Sequence, residues 1–277
     1  MRTQVLERPV SRNGQENEKK AEKRARPSSL LSAITRGKQP APRRTFIYGV
    51  QGVGKSTFAS QAPGAIFLPT EDGTGDLDCT RFPLLESYDE VLQALADLYR
   101  EKHGFETVVI DSLDWLERLV WDKVCRDHRV NSIEDFGYKA GYVHAIDHWR
   151  RVLKGLDVLR RKRGMASVLI AHSRIERFES PDTESYDRYT PRVHRLVADL
   201  CQEWADEVFF ASFKICTKQV AEKFGRKRVQ GVSRGERVLR TTERPAHRAK
   251  NRLGMPEEIA LEWGSYAGWF RGEKTAG

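Results

Sequence analysis

At 277 residues with a formal net charge of +9, the chain is long enough to bury one large core. It has no apolar run near the ~18 residues of a membrane span and no signal-peptide region, so membrane and secreted classes are excluded and a cytoplasmic protein is expected. Cys79, Cys125, Cys201 and Cys216 lie far apart with no C-x-x-C pair, which argues against a disulfide framework or a zinc site.

The charge is unevenly spread. Residues 1–44 carry 12 Lys/Arg against 4 Glu, and residues 214–253 carry 13 against 3 Glu, so the rest is net acidic. Two basic zones flanking an acidic core are the footprint of a polyanion partner, or else two solvated segments with no dedicated ligand. Residues 1–27 are polar without hydrophobic period and are expected to form a flexible basic arm, leaving 28–277 as the folded domain. Ser28 or Ser29 is placed to cap a short helix with Leu30, Leu31 and Ile34.

The first strong signal is Gly49-Val50-Gln51-Gly52-Val53-Gly54-Lys55-Ser56-Thr57, between an apolar strand from Thr45 and a helix beginning near Phe58. This is G-x-x-x-x-G-K-[ST] in a strand–turn–helix setting. Glycines let successive backbone N–H groups turn toward phosphate oxygens, and the helix start adds partial positive charge. Lys55 is expected on the β- and γ-phosphates of ATP and Ser56 on Mg²⁺. Ala65–Pro69 reads as a second strand, and Glu71 just beyond it is either a general base for water or an ordinary acidic turn residue. A helix from Asp89 leads to the buried strand Thr107–Ile110, which ends on Asp111, a second expected Mg²⁺ contact. Asp114 and Glu117 on the following helix are expected in solvent.

Residues 131–142 read as a loop, with aromatics either stacking on bases or packing beneath it. A long helix follows, with His144 and His148 read as surface residues. The strand at 166–171 ends on His172, expected near the γ-phosphate. Ser173 to Pro191 shows neither helical nor strand period and carries Arg174, Arg177, Phe178, Tyr186, Arg188 and Tyr189. A long loop of arginines and aromatics suits single-stranded nucleic acid. A helix from Arg192 to Trp204, a strand over 206–211, and short β-like runs near Val220, Val229 and Val238-Leu239 follow. The last motif is Lys250-Asn251-Arg252-Leu253-Gly254, and the tail holds Trp263, Tyr266 and Trp269.

In order, the phosphate loop, Glu71, Asp111-Ser112, His172, a basic segment and Lys250-Asn251-Arg252 resemble the RecA family core, and the last motif is similar to that of RecA and RadA. The whole resembles bacteriophage proteins built on a bare RecA-like core, some of them single-strand annealing recombinases and others labelled only as nucleotide-binding. The resemblance implies an α/β fold: a RecA-like P-loop NTPase core with a mostly parallel central sheet flanked by helices, extended by antiparallel strands on the C-terminal side. It implies Glu71 as the catalytic glutamate and residues 173–191 as a DNA-binding loop. It further implies that Lys250 and Arg252 reach a neighbouring subunit's γ-phosphate, giving a homo-oligomer with composite ATP sites. Single-stranded DNA and a single-strand-binding protein are the implied partners. His172 departs from the family's glutamine, and no N-terminal polymerisation domain is evident.

Other readings fit less well. No N/T-K-x-D guanine motif is present, as Thr217-Lys218-Gln219-Val220 lacks the aspartate. An AAA+ machine would carry a helical lid where this C-terminus reads as β and basic loop. A small-molecule kinase shares the phosphate loop but leaves the arginine–aromatic segment without a role.

Overall fold

The chain divides into two units, Met1–Gln39 and Pro40–Gly277. The computed structural model describes residues 30–180, 183–221 and 227–274, with the backbone alone for residue 33 and residues 215–234. The expected basic arm and many side chains of the second basic zone therefore lie outside the described residues. In the first unit, the expected short helix is a 3-10 turn, Leu30–Ala33, with Leu30, Leu31 and Ile34 exposed. So short a run makes too few backbone bonds to sustain an α-helix.

The second unit is built on a sheet whose central strands are parallel. β1 (Arg44–Gly49), β2 (Ala65–Pro69), β3 (Thr80–Arg81), β4 (Thr107–Asp111), β5 (Ala166–Phe178) and β7 (Glu207–Ala221) pair in the order β7-β1-β5-β4-β2-β3. β8 (Lys227–Arg240) runs antiparallel to β7, and β10 (Glu258–Ala260) antiparallel to β8. The fold is thus α/β with a mostly parallel sheet and an antiparallel C-terminal extension. The runs expected as separate pieces near Val220, Val229 and Val238 are two long arms paired from Phe210–Arg240 to Ala221–Lys227. Basic and glycine residues interrupt their hydrophobic pattern, which hides their length.

Alternation along the strands divides the core between two faces. Phe46, Tyr48, Val108 and Ile110 pack under α2 (Tyr88–Arg100), α3 (Leu113–His128), α4 (Ala140–Arg163) and α5 (Arg195–Trp204). Ile47, Val109 and Phe209 point the other way, onto α1 (Lys55–Ser60) and α6 (Trp263–Phe270). Each helix supplies an apolar stripe: α4 sets Trp149, Val152, Leu156 and Leu159 against the sheet. That helix ends on Gly164 in the left-handed region after four basic residues in its last turn, which suits the partial negative charge of a helix C-terminus. In α6, Trp263 packs at a tilt against Phe58 of α1 and the Tyr266 hydroxyl bonds Thr45 Oγ1 at 2.9 Å, so the tail braces the phosphate-loop helix.

Two expectations about single residues fail here. His148 is buried and meets the Tyr88 ring edge-on, because its helix position turns inward beside Trp149. α5 starts at Arg195 rather than Arg192, because Arg192 N is bound to His172 O and His194 caps the helix instead.

Glu207, the first residue of β7, is 0 % exposed. Arg43 is 3.6 Å away and the carboxylate accepts no hydrogen bond among the described residues. Burial pushes its pKa up to about 7 against the opposing charge of Arg43. A carboxyl that titrates higher folded than unfolded adds stability that is complete below about pH 4.5 and lost as pH rises through about 7. Folding free energy is therefore expected to decline across that window by up to ~3 kcal/mol from this group. Thermal melts of Glu207→Gln across pH 5 to 8 should show a flatter decline than wild type, and parallel profiles would count against the assignment.

Candidate nucleotide site

The phosphate loop leaves the sheet where Gly49 of β1 pairs with Ala211 of β7. A Cβ on Gly49 would stand 2.0 Å from Ala211 O, so only glycine lets the end of β1 lie this close to β7. Gly54 has φ 102°, a left-handed turn that starts α1. Val53 is fully buried among Ile47 and Phe58, anchoring the loop, while Gln51 and Thr57 line the cleft. Lys55 is buried, and its Nζ donates to Gly49 O at 3.1 Å and Val50 O at 2.9 Å. Burial lowers its pKa to about 8, although Asp111, Asp114 and Glu71 pull the other way.

The acids arrive from the neighbouring strand ends. β5 lies between β1 and β4, so β4 delivers Asp111 two strands away from the loop. Ser56 Oγ donates to Asp111 Oδ2 at 2.5 Å. Burial raises the Asp111 pKa, and the Ser56 hydrogen bond opposes that rise. Thr70 Oγ1 donates to Ser112 O at 2.7 Å and accepts from Ser112 N at 3.1 Å, lacing β2 to β4. Ser112 Oγ then donates to Glu71 Oε2 at 2.7 Å, which fixes that carboxylate at the cleft. Gln51, Gly52, Lys55, Ser56, Glu71, Asp111 and His172 all line one opening of about 530 Å³.

Asp114 and Glu117 are buried, not solvated as the sequence suggests. Asp114 Oδ2 accepts from His172 N at 2.9 Å and lies 3.2 Å from His172 Nδ1, and Oδ1 accepts from Arg192 Nε at 3.0 Å. Burial would raise the Asp114 pKa, but the His172 hydrogen bonds and Arg192 hold it below the usual range. Glu117 accepts from His194 N at 2.7 Å, and burial pushes its pKa up to about 7. Asp114 and Arg192 escape the motif reading, as does the hold of Ser112 on Glu71. The available signal was helical: Asp114 and Glu117 fall three residues apart on one face of α3.

Residues 173–191 are not an irregular loop. β5 continues to Phe178 and pairs antiparallel with β6 (Tyr186–Pro191), from Ser173–Pro191 to Phe178–Tyr186. Polar residues on both faces of this hairpin conceal the strand period. Phe178 and Tyr186 have ring centroids 5.4 Å apart, and the Arg188 guanidinium lies 5.3 Å from the Phe178 ring. Arg174, Arg177, Arg188, Arg195 and Arg248 line a second cleft of about 380 Å³. These cations are already partnered: Arg174 with Glu176 at 2.5 Å, Arg248 with Asp199 at 2.6 Å, Arg177 with Asp187 at 3.8 Å, and Arg188 with Glu243.

Lys250 and Arg252 lie elsewhere in the chain. β9 (Lys250–Asn251) pairs with Glu207 and Val208, the start of β7, whereas the phosphate loop packs on Ala211 farther along that strand. Lys250 Nζ donates to Gln202 O, Glu203 O and Ala205 O, capping the C-terminus of α5. Asn251 bonds Leu253 N, Met255 N and Met255 O, which shapes the turn that follows. Arg252 is 3.6 Å from Asp206 with a side chain 59 % exposed. Within one chain, neither basic residue belongs to the nucleotide cleft.

The donor set suits Mg²⁺ with a triphosphate. Mg²⁺ keeps several waters and takes one or two protein oxygens beside the phosphates, and Ser56 with Asp111 offers that pair. Among the described residues no cluster of three His, Cys, Asp or Glu forms an all-protein metal cage.

Fold and site together define a P-loop ATPase domain built on a mostly parallel sheet. The family model described as an AAA domain, AAA_24, matches residues 41–253, and the chain belongs to that family. Among the described residues, the C-terminal side holds the β7–β8 arms and the eight-residue α6. The chain is also similar to the crystal structure of the RadB recombinase, with TM-score 0.39 and 14 % identity over 72 % of this chain and 80 % of that one. No curated protein matches the sequence. No helix among the described residues is long and apolar enough to cross a membrane.

Proposed function

We propose that the protein binds and hydrolyses Mg-ATP and uses the nucleotide state to control a β-hairpin that grips single-stranded DNA. The observation that carries this reading is one strand. β5 places His172 in the nucleotide cleft and, a few residues on, Arg174 and Arg177 in the second cleft. Asp114 holds both His172 and Arg192, the residue after the hairpin, so a shift at the cleft is passed to the hairpin foot through one buried carboxylate. Lys55 and the loop amides hold phosphate oxygens, and Glu71 takes a proton from the attacking water. Bound Mg²⁺ supplies charge neutralisation on the β- and γ-phosphate oxygens.

On this reading DNA phosphates exchange with the acids that now pair Arg174 and Arg177, which leaves affinity salt-dependent. Strand annealing, a phage origin and a single-strand-binding partner remain part of the proposal on the sequence resemblance. So does a composite site, in which Arg252 of a second copy faces the triphosphate. The decisive experiment compares ATP hydrolysis with and without single-stranded DNA. Stimulation by DNA, lost in Arg174→Ala/Arg177→Ala and weakened by added salt, is expected. ATP turnover indifferent to DNA would instead favour a phosphotransferase or a nucleotide module, a reading that the acid-paired hairpin arginines already favour in part.

A further inference from the structure

A second cation stands at the phosphate loop, and no motif marks it. Arg237 lies on β8 opposite Phe213 of β7 and two residues before Leu239. Leu239 packs among Ile47, Phe58 and Phe209 on the α1 side of the sheet. Residues two apart on a strand share a face, so Arg237 is directed to that same side. Its level on the sheet lies beyond the pairing of Ala211 with Gly49, where the loop begins. There its Nη1 lies 2.7 Å from where a Cβ on Gly54 would stand, so the guanidinium rests directly against the loop. The strand that carries it is held by Leu261 N donating to Arg237 O at 3.0 Å.

The side chain is exposed and makes no ion pair among the described residues. Arg240, on the same strand, is paired with Glu258 at 3.4 Å, and Arg174, Arg188, Arg192 and Arg248 also have carboxylate partners. A guanidinium held beside a glycine loop, with no acid paired to it among the described residues, is a ready ligand for an anion, and its planar fork matches two phosphate oxygens.

We infer that Arg237 is a phosphate-binding residue of the nucleotide site, supplied by the same chain from the β8 flank while Lys55 acts from the interior. The inference rests on the nucleotide reading above and adds a contact to it. Gly54 is required for the left-handed turn of its backbone, and its bare Cα lets the guanidinium lie against the loop.

The test is calorimetric titration of ATP, ADP and adenosine, with Mg²⁺, into wild type, Arg237→Ala, Arg237→Gln, Arg237→Lys and Lys55→Ala. Arg237→Ala and Arg237→Gln are expected to bind ATP and ADP about tenfold more weakly, Arg237→Lys to recover part of the loss, and adenosine to be unaffected. Thermal midpoints should match wild type, since the side chain is exposed. Should Lys55→Ala weaken ATP while both neutral Arg237 variants bind as wild type does, the Arg237 inference is overturned and the site stands. Unchanged ATP affinity in Lys55→Ala would remove the nucleotide reading itself.

Discussion

Replacing Lys55 with alanine is expected to lower ATP affinity about 100-fold, some 3 kcal/mol, while leaving the fold intact. The size follows from losing charge-assisted bonds to phosphate in a buried setting, where little water stands in for the ammonium. Intact folding follows from the same burial. The free protein already disfavours the charged lysine, whose pKa is lowered to about 8. Phosphate oxygens stabilise the charged form, so binding raises that pKa and takes up a proton near pH 8. ATP affinity should therefore fall as pH rises through about 8, and the fall should vanish in Lys55→Ala. Equal affinity of variant and wild type at neutral pH would show that the ammonium does not meet the nucleotide.

Glu71→Gln is expected to slow ATP hydrolysis by about 10²- to 10³-fold with ATP affinity unchanged. Glutamine keeps an oxygen for the Ser112 hydroxyl, which now bonds Glu71 Oε2 at 2.7 Å, so the variant loses the base and keeps the geometry. Asp72 and Asp76 also line the cleft but are exposed, without a comparable anchor. Single-turnover measurements on mixed protein and ATP separate the chemical step from binding. A wild-type rate in Glu71→Gln would move the base elsewhere in the cleft.

The parts of the molecule that could be read in advance are those that local rules govern. A glycine loop followed by lysine and serine needs only short-range backbone geometry, and Thr107–Ile110 announces a buried strand by its unbroken apolar run. Asp111 was legible because strand ends in a parallel sheet share one edge. The failures are residues whose setting is decided far away in the chain. Asp114 and Glu117 look like solvent-facing acids until Arg192, His172 and His194 come down on them from residues about sixty to eighty later. Arg237 sits in a basic stretch that looks uniform, and only the β7–β8 register lifts it to the loop. The 173–191 hairpin was hidden because both its faces are polar, so no alternation betrayed it. Lys250 has a role within its own chain that the motif does not announce. Its motif suggested a distant phosphate, while three carbonyls at the end of α5 hold it in this chain.

The central claim is that Lys55, Ser56 and Asp111 close on one Mg-triphosphate at a single edge of the sheet. ATP titration into wild type and Asp111→Asn, each with and without Mg²⁺, tests it most directly, because asparagine still accepts the Ser56 hydroxyl and removes only the charge. The account predicts that Mg²⁺ tightens ATP binding to wild type and has little effect on the variant. A wild type indifferent to Mg²⁺, or a variant that responds to it fully, would contradict the account.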